Sequence, residues 1–229
     1  MHATSGADTG QRAAKDALFA AFATVAKALG NGHRAEIVDV LAQAERSVDE
    51  LAGEIGQSLA NTSQHLQVLA RTGLVRSERR GHRVVYRLAS DEVAQLWGTL
   101  RGVAAHHLAD VEILASAYLG DRTDIEHVTS DELELRIARG RVVVLDVRPV
   151  VEYAAGHIAG AESAPLDMLP SVLGRLPRDG DVVAYCRGPY CVYADDAVRL
   201  LRARGFDASR LDVGYSEWSR AGRAVATAT

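Results

Sequence analysis

Two cysteines, Cys186 and Cys191, are the only thiols in the 229-residue chain, and both lie in the segment Val182–Gly205. The run Val182-Val183-Ala184-Tyr185 reads as a buried strand. A polar loop, Cys186-Arg187-Gly188-Pro189-Tyr190, follows, and then a helix over Cys191–Arg204 with Val192, Ala197, Val198 and Leu201 on one side. At the end of a strand and facing a helix start, unpaired backbone N–H groups and the helix dipole favour an anion. That setting lowers a thiol from its free pKa of about 8.5, so Cys186 is the expected nucleophile. Cys191 is a second thiol within reach. The two Cα atoms can approach within the roughly 7 Å that a disulfide allows, and a thiolate beside a persulfide can attack it. The plainer alternative is a small buried cysteine with no chemistry.

Closely spaced cysteines of this kind suit a reducing compartment and redox or sulfur chemistry, not a disulfide scaffold. The formal charge of −4 means that any nucleic-acid binding must come from a local patch. No run of about 18 apolar residues and no signal-peptide pattern occurs, so a soluble, cytoplasmic protein without a membrane partner is expected. The length suits two modest domains.

The elements that must position these residues follow in chain order. Residues 1–15 are small and polar and are expected to be disordered. Asp16–Leu29 reads as a helix with Leu18, Phe19, Phe22, Val25, Ala26 and Leu29 on a broad apolar face, ended by Gly30-Asn31-Gly32. His33–Ala44 is a second helix. Ser47 with Glu50 is a capping box opening a third, Val48–Ile55, and Ser58 caps a fourth that ends near Thr72. Leu59, Thr62, Leu66 and Leu69 should face inward there, leaving Asn61, Ser63, Gln64 and Gln67 outside. Two short helices joined by a glycine turn read as a helix-turn-helix, and amide side chains suit adenine edges in the major groove. Residues 74–78 and 84–88 read as strands around Arg79-Arg80-Gly81-His82-Arg83. Six arginines stand against one glutamate between Arg71 and Arg87, a tip fitted to phosphate contact.

Leu51–Ser58, Ser63-Gln64-His65-Leu66-Gln67-Val68-Leu69 and Gly73-Leu74-Val75, with a wing ending Tyr86-Arg87-Leu88, resemble the ArsR-type winged-helix repressors over roughly residues 19–119. The resemblance implies binding to double-stranded operator DNA. It also implies a homodimer built from the N-terminal helix and a long helix over residues 90–119. Ser58, Asn61, Ser63, Gln64, Gln67, Arg71, Arg79, Arg80 and Arg83 are the candidate DNA-binding residues. Many relatives sense metals. Here the third helix lacks cysteine ligands, and the adjacent His106 and His107 point about 100° apart on a helix, so no metal site is expected among them, Asp110 and Glu112.

After a polar linker at residues 120–123 the pattern turns to alternating strands and helices, which implies a parallel sheet covered on both faces. Its chemistry belongs at the carboxyl ends of the strands. Leu145-Asp146-Val147-Arg148, Glu152-Tyr153, Gly156–Ala161, Pro165, Cys186 and Gly214-Tyr215-Ser216-Glu217-Trp218 resemble a single rhodanese domain over about residues 124–226. The family implies that Cys186 carries sulfane sulfur as a persulfide, with the loop N–H groups stabilising the charge. Arg187, Gly188, Tyr190 and Cys191 complete the candidate catalytic loop, and Asp146 and Arg148 brace it. Rhodanese-like phosphatases carry an arginine six positions after the cysteine to grip phosphate. That position is Val192, which excludes the phosphatase reading. Pro189 removes one loop N–H.

The expected protein is thus multidomain. A mainly α winged helix-turn-helix at residues 16–119 precedes an α/β rhodanese domain with a central parallel sheet at residues 124–229. The expected function is a DNA-binding regulator, a repressor, that senses reactive sulfur through persulfide or disulfide chemistry, with small sulfane-sulfur donors as partners and no cofactor. Two alternatives stay open: a sulfurtransferase localised by its DNA-binding domain, and a regulator whose rhodanese domain is inert.

Overall fold

The first helix, α1 (Ser5–Leu29), starts well before the expected Asp16. Arg12, Ala13, Ala14 and Lys15 are good helix formers, and Arg12 pairs with Asp16 at 2.8 Å, one turn apart. The structure, a computed structural model, describes residues 5–140, 142–177 and 180–228. The first four residues of the segment expected to be disordered lie outside that set, and the rest are helical. The chain divides into two compact units, residues 1–102 and 103–229.

In the first unit, Asn31 accepts the Arg34 N–H and opens α2 (Gly32–Leu41). The short strand β1 (Arg46–Ser47) was not expected from the sequence. Ser47 then opens α3 (Val48–Glu54) with the expected capping box: Ser47 N–H donates to the Glu50 carboxylate at 2.7 Å, and Glu50 N–H to Ser47 Oγ at 3.4 Å. Ser58 caps α4 (Leu59–Arg71) by accepting the Asn61 N–H. Ile37, Leu51, Leu66 and Leu69 are wholly buried among these helices. Leu59, expected inside, is 52% exposed, because the first turn of α4 projects beyond the packed layer while Thr62 is buried and donates to Ser58 O.

The wing pairs β2 (Val75–Arg80) with β3 (Arg83–Leu88), and β1 adds to the free edge of β3. The turn is two residues, tighter than expected, with Gly81 at φ +63°. Arg79, Arg80 and Arg83 therefore lie in the strands and not in a loop. The expected single helix over residues 90–119 is two, α5 (Asp91–His107) and α6 (Ala109–Leu119), broken where Leu108 is extended. Nothing in the local sequence explains the break. The Trp97 indole donates to Asp39 at 2.6 Å and Arg101 pairs with the same carboxylate, which fixes α5 on α2.

In the second unit, β4 (His127–Val128) is followed by α7 (Ser130–Ala138), β5 (Val142–Asp146) and α8 (Val150–Ala155). Next come β6 (His157–Ile158), β7 (Glu162–Ser163), α9 (Leu169–Val172), β8 (Asp181–Tyr185) and α10 (Tyr193–Ala203). The chain closes with β9 (Ala208–Leu211), α11 (Tyr215–Arg220) and β10 (Val225–Ala226). The five-stranded sheet runs β4-β9-β8-β5-β7, every neighbour parallel. β8 sits in the middle, and its pleat sends alternate side chains to opposite faces. Val182, Ala184 and Cys186 meet α9 and α10 on one face. Val183 and Tyr185 meet Leu133, Ile158 and Trp218 on the other. A strand buried on both faces reads as a continuous apolar run, which is why its sequence showed no alternation.

Candidate functional site: a paired-thiol loop and a basic wing

Residues 186–192 form the loop between β8 and α10. The helix starts at Tyr193, two residues later than expected, so Cys191 belongs to the loop. Both cysteines are free thiols. Cys186 is 1% exposed and ends the buried strand, whereas Cys191 is half-buried. The Cys186 sulfur lies 3.8 Å from Gly188 O and 3.7 Å from Cys191 O. The two thiols are shifted in opposite directions. Burial pushes the Cys186 thiol well up, and the adjoining Cys191 sulfur adds to the rise. Cys191 is brought down to about 7, first by the hydrogen bond from Cys186 and then by the backbone N–H groups of Tyr193 and Arg187.

The Arg187 guanidinium pairs with the wholly buried Glu152 carboxylate, at 2.5 and 3.0 Å, and lies 5.7 Å from the Tyr193 ring centroid. Gly188 is buried, and its carbonyl accepts from Cys191 N–H at 3.2 Å and from Arg210 at 3.0 Å. Tyr190 lines a cavity of about 840 Å³ with Val111, Ala115, Leu119, Asp121 and Arg122.

Asp146 and Arg148 are both fully buried and paired at 2.5 Å. Asp146 accepts the Tyr185 hydroxyl at 2.6 Å, and Arg148 donates to Gly156 O at 2.6 Å and stacks 4.4 Å from the Tyr215 ring centroid. Burial, then the Asp146 charge, holds the Tyr185 phenol far above its usual range. The network ties the ends of β5 and β8 to the segment carrying α11. Tyr215 N–H in turn donates to Cys186 O at 3.0 Å. A Cβ on Gly214 would lie 2.2 Å from the Arg187 carbonyl carbon, so only glycine lets this chain pass under the loop.

Three further residues hold the loop and were not anticipated. Arg122 donates to Asp195 at 2.6 Å, to Pro189 O at 2.9 Å and to Cys191 O at 3.3 Å. Asp195, buried in the first turn of α10, also pairs with buried Arg210 at 3.0 Å. The one available signal was Asp195-Asp196 at a helix start, which reads equally as dipole compensation. The partners lie 73 residues before and 15 after Asp195 in sequence, beyond any local pattern.

On the first unit, Asn61, Gln64, Gln67 and Arg71 are exposed along α4 and Ser63 is half-buried. Ser58 is committed to its cap, and Gln67 accepts from Arg71 at 3.3 Å. On the wing, Arg79 and Arg83 are exposed. Arg80 is already paired with Glu45 and with Glu78, the latter at 2.9 Å, so the basic tip is less charged than the composition suggested.

The fold and site together define a winged helix-turn-helix regulator joined to a rhodanese-like domain. A helix-turn-helix family model matches residues 29–78, and a rhodanese-like domain model matches residues 129–221. The chain belongs to the ArsR-type regulators that carry a C-terminal rhodanese domain. It is 46% identical over 216 residues to the HTH-type transcriptional regulator Rv0324 of Mycobacterium tuberculosis, covering 94% of this chain and 95% of that one. Its second half is 31% identical over 100 residues to a sulfurtransferase of Allochromatium vinosum, covering 43% of this chain and 92% of the relative. A solution structure described as the homodimeric winged helix-turn-helix DNA-binding domain of Mb0332 from Mycobacterium bovis is 45% identical. It covers 41% of this chain and 87% of that one, with a TM-score of 0.39.

Proposed function

We propose that this DNA-binding regulator is a homodimeric cytoplasmic repressor that responds to reactive sulfur species through persulfide or disulfide chemistry at Cys186 and Cys191. The observation that carries the reading is the pair itself: two free thiols in one short loop, with the Cys186 sulfur 3.7 Å from Cys191 O. A carrier loop needs one sulfur, whereas a switch needs two, because a second thiol converts a transient persulfide into a stable disulfide. Rv0324 is named as a transcriptional regulator, which supports the regulatory half of the reading.

A route out of the loop is available. Arg122 lies three residues after α6 and holds two loop carbonyls, including that of Cys191. A loop rearranged by sulfur chemistry loosens that grip and biases the segment entering from α6. Dimerisation is supported by the apolar face of α1 and α5. Leu18, Phe19 and Phe22 are each more than half exposed, and Phe22, Leu29, Leu96 and Leu100 line an open cavity of about 340 Å³. An apolar face of this kind suits a second copy of the chain. For DNA, α4 would present Asn61, Gln64 and Gln67 to base edges, while Arg71, Arg79 and Arg83 reach phosphate.

The test is operator affinity of the reduced full-length protein before and after exposure to inorganic polysulfide, for the wild type and for Cys186→Ser. A sulfur-dependent fall in affinity that Cys186→Ser lacks is expected. An affinity indifferent to polysulfide overturns the reading. The sulfurtransferase relative favours a second reading, an enzyme localised on DNA. That reading requires turnover with a thiol acceptor, which the same samples can be assayed for.

A further inference from the structure

We propose that the thiol loop is served by an uncharged organic polysulfide whose hydrocarbon arm lies in an apolar cavity beside Cys186. The proposal names the donor class for the sulfur-sensing reading and rests on it.

The cavity holds about 390 Å³ and is lined by Val147, Val150, Pro165, Leu166, Met168 and Tyr193, a size within the range of small-molecule sites. It adjoins Cys186 by register. Asp146 faces Tyr185 across the parallel pair β5–β8, and Val147 N–H donates to Tyr185 O at 3.1 Å. Val147 and Cys186 are thus the next residues of neighbouring strands. Val147, Leu166 and Tyr193 also pack in the apolar cluster that contains Cys186, so the cavity lies on the Cys186 face of the sheet. At its rim Val150 and Met168 leave about half their surface to solvent, apolar surface that a hydrocarbon arm would cover.

Charge points the same way. Four arginines lie in or around the loop, and each is paired with a buried carboxylate: Arg148 with Asp146, Arg187 with Glu152, and both Arg122 and Arg210 with Asp195. The charged residue that lines the cavity is Asp167. A dianion such as thiosulfate would shed its water beside a carboxylate and face cations whose charge is already matched. A neutral donor meets no such cost, and Cys186, 1% exposed, sits where a hydrated ion is least at home.

The steps balance with a trisulfide R–S–S–S–R. The Cys186 thiolate attacks an outer sulfur; a Cys186–S bond forms, the bond from that sulfur to the central one breaks, and R–S–S⁻ leaves with the electron pair. The Cys191 thiolate then attacks Cys186 Sγ, the Cys186–Cys191 disulfide forms, and R–S⁻ leaves. The two leaving anions take up the two protons that the thiols released. Two thiols are oxidised to one disulfide, and the trisulfide is reduced to R–S–SH and R–SH.

The experiment exposes reduced full-length protein to dimethyl trisulfide, dipropyl trisulfide or thiosulfate at equal concentration and follows disulfide formation by intact mass after alkylation. Each trisulfide rate is divided by the rate of the same compound with free cysteine, which removes intrinsic reactivity. A buried methylene is worth about fourfold, so lengthening the arm from methyl to propyl should raise the ratio about tenfold. Thiosulfate should be the slowest of the three. The double variant Val150→Thr, Met168→Gln keeps the shape of two half-exposed side chains, makes the wall polar and should lose most of the arm-length preference. A ratio indifferent to arm length overturns the proposal, as does a thiosulfate rate above that of dipropyl trisulfide or a full preference in the double variant. Should dipropyl trisulfide oxidise the pair with the expected preference yet leave operator affinity unchanged, the regulatory reading falls and the donor class stands. Should inorganic polysulfide lower operator affinity while arm length has no effect, the donor class falls and the regulatory reading stands.

Discussion

Replacing Arg122 with Met keeps the aliphatic stem and removes a cation that joins the segment after α6 to the thiol loop. Three interactions go: the pair with Asp195 and the bonds to Pro189 O and Cys191 O. Breaking a buried pair costs about 3–5 kcal/mol when a charge is left uncompensated. Asp195 retains Arg210 at 3.0 Å, and the Arg122 side chain is 19% exposed, so the cost should lie below that range. Two charge-assisted bonds to carbonyls add to it, and about 2–3 kcal/mol is a reasonable total. For a unit of this size that corresponds to a fall of about 10 °C in the midpoint of its thermal transition. The assay pairs differential scanning fluorimetry with operator titration at a temperature where the variant is folded. The variant should be destabilised by that amount, and its operator affinity should answer polysulfide weakly or not at all while the thiols still react. An unchanged midpoint together with a full polysulfide response would refute the view that Arg122 connects the loop to α6.

Arg79→Ala should weaken binding to all DNA sequences and lower the salt slope by about one, whereas Arg80→Ala should do less, since Glu45 and Glu78 already hold that guanidinium; fluorescence anisotropy at several salt concentrations separates them. Gln64→Ala should relax preference at one base pair by about 1–3 kcal/mol without changing the salt slope, read from a panel of operator variants. Gly214→Ala should force the chain away from Arg187, where its Cβ would sit 2.2 Å from backbone, and slow alkylation of Cys191 as the loop shifts. Alkylation of Cys191 in the wild type should rise with pH, reach half its plateau near 7 and stay flat above, because its thiolate is already formed there; a half-rise near 9 would mean that the loop does not stabilise it.

Much of this arrangement was legible in the chain because it is local. The Ser47–Glu50 box and the Ser58 cap are each written in four consecutive residues, and both form. The apolar run Val182–Tyr185 signals a strand buried on two sides, and β8 is that strand. What the sequence concealed depends on contacts between distant positions. Arg187 looks like a loop cation until Glu152, 35 residues earlier, is found buried against it. Arg80 looks free until Glu45 reaches it from the segment between α2 and β1. The end of the thiol loop was misplaced for a simpler reason. The apolar pattern of the helix suggested a start at Cys191, but α10 begins at Tyr193, so the loop is two residues longer and holds both cysteines. A shift of two residues lies within the ordinary uncertainty of a helix boundary, yet it decides whether Cys191 is fixed in a helix or stands in the loop beside Cys186. In a loop this short the register of the helix start is therefore a chemical variable. A substitution that lets α10 begin at Cys191 should hold that thiol in the helix and slow disulfide formation with Cys186 on exposure to polysulfide.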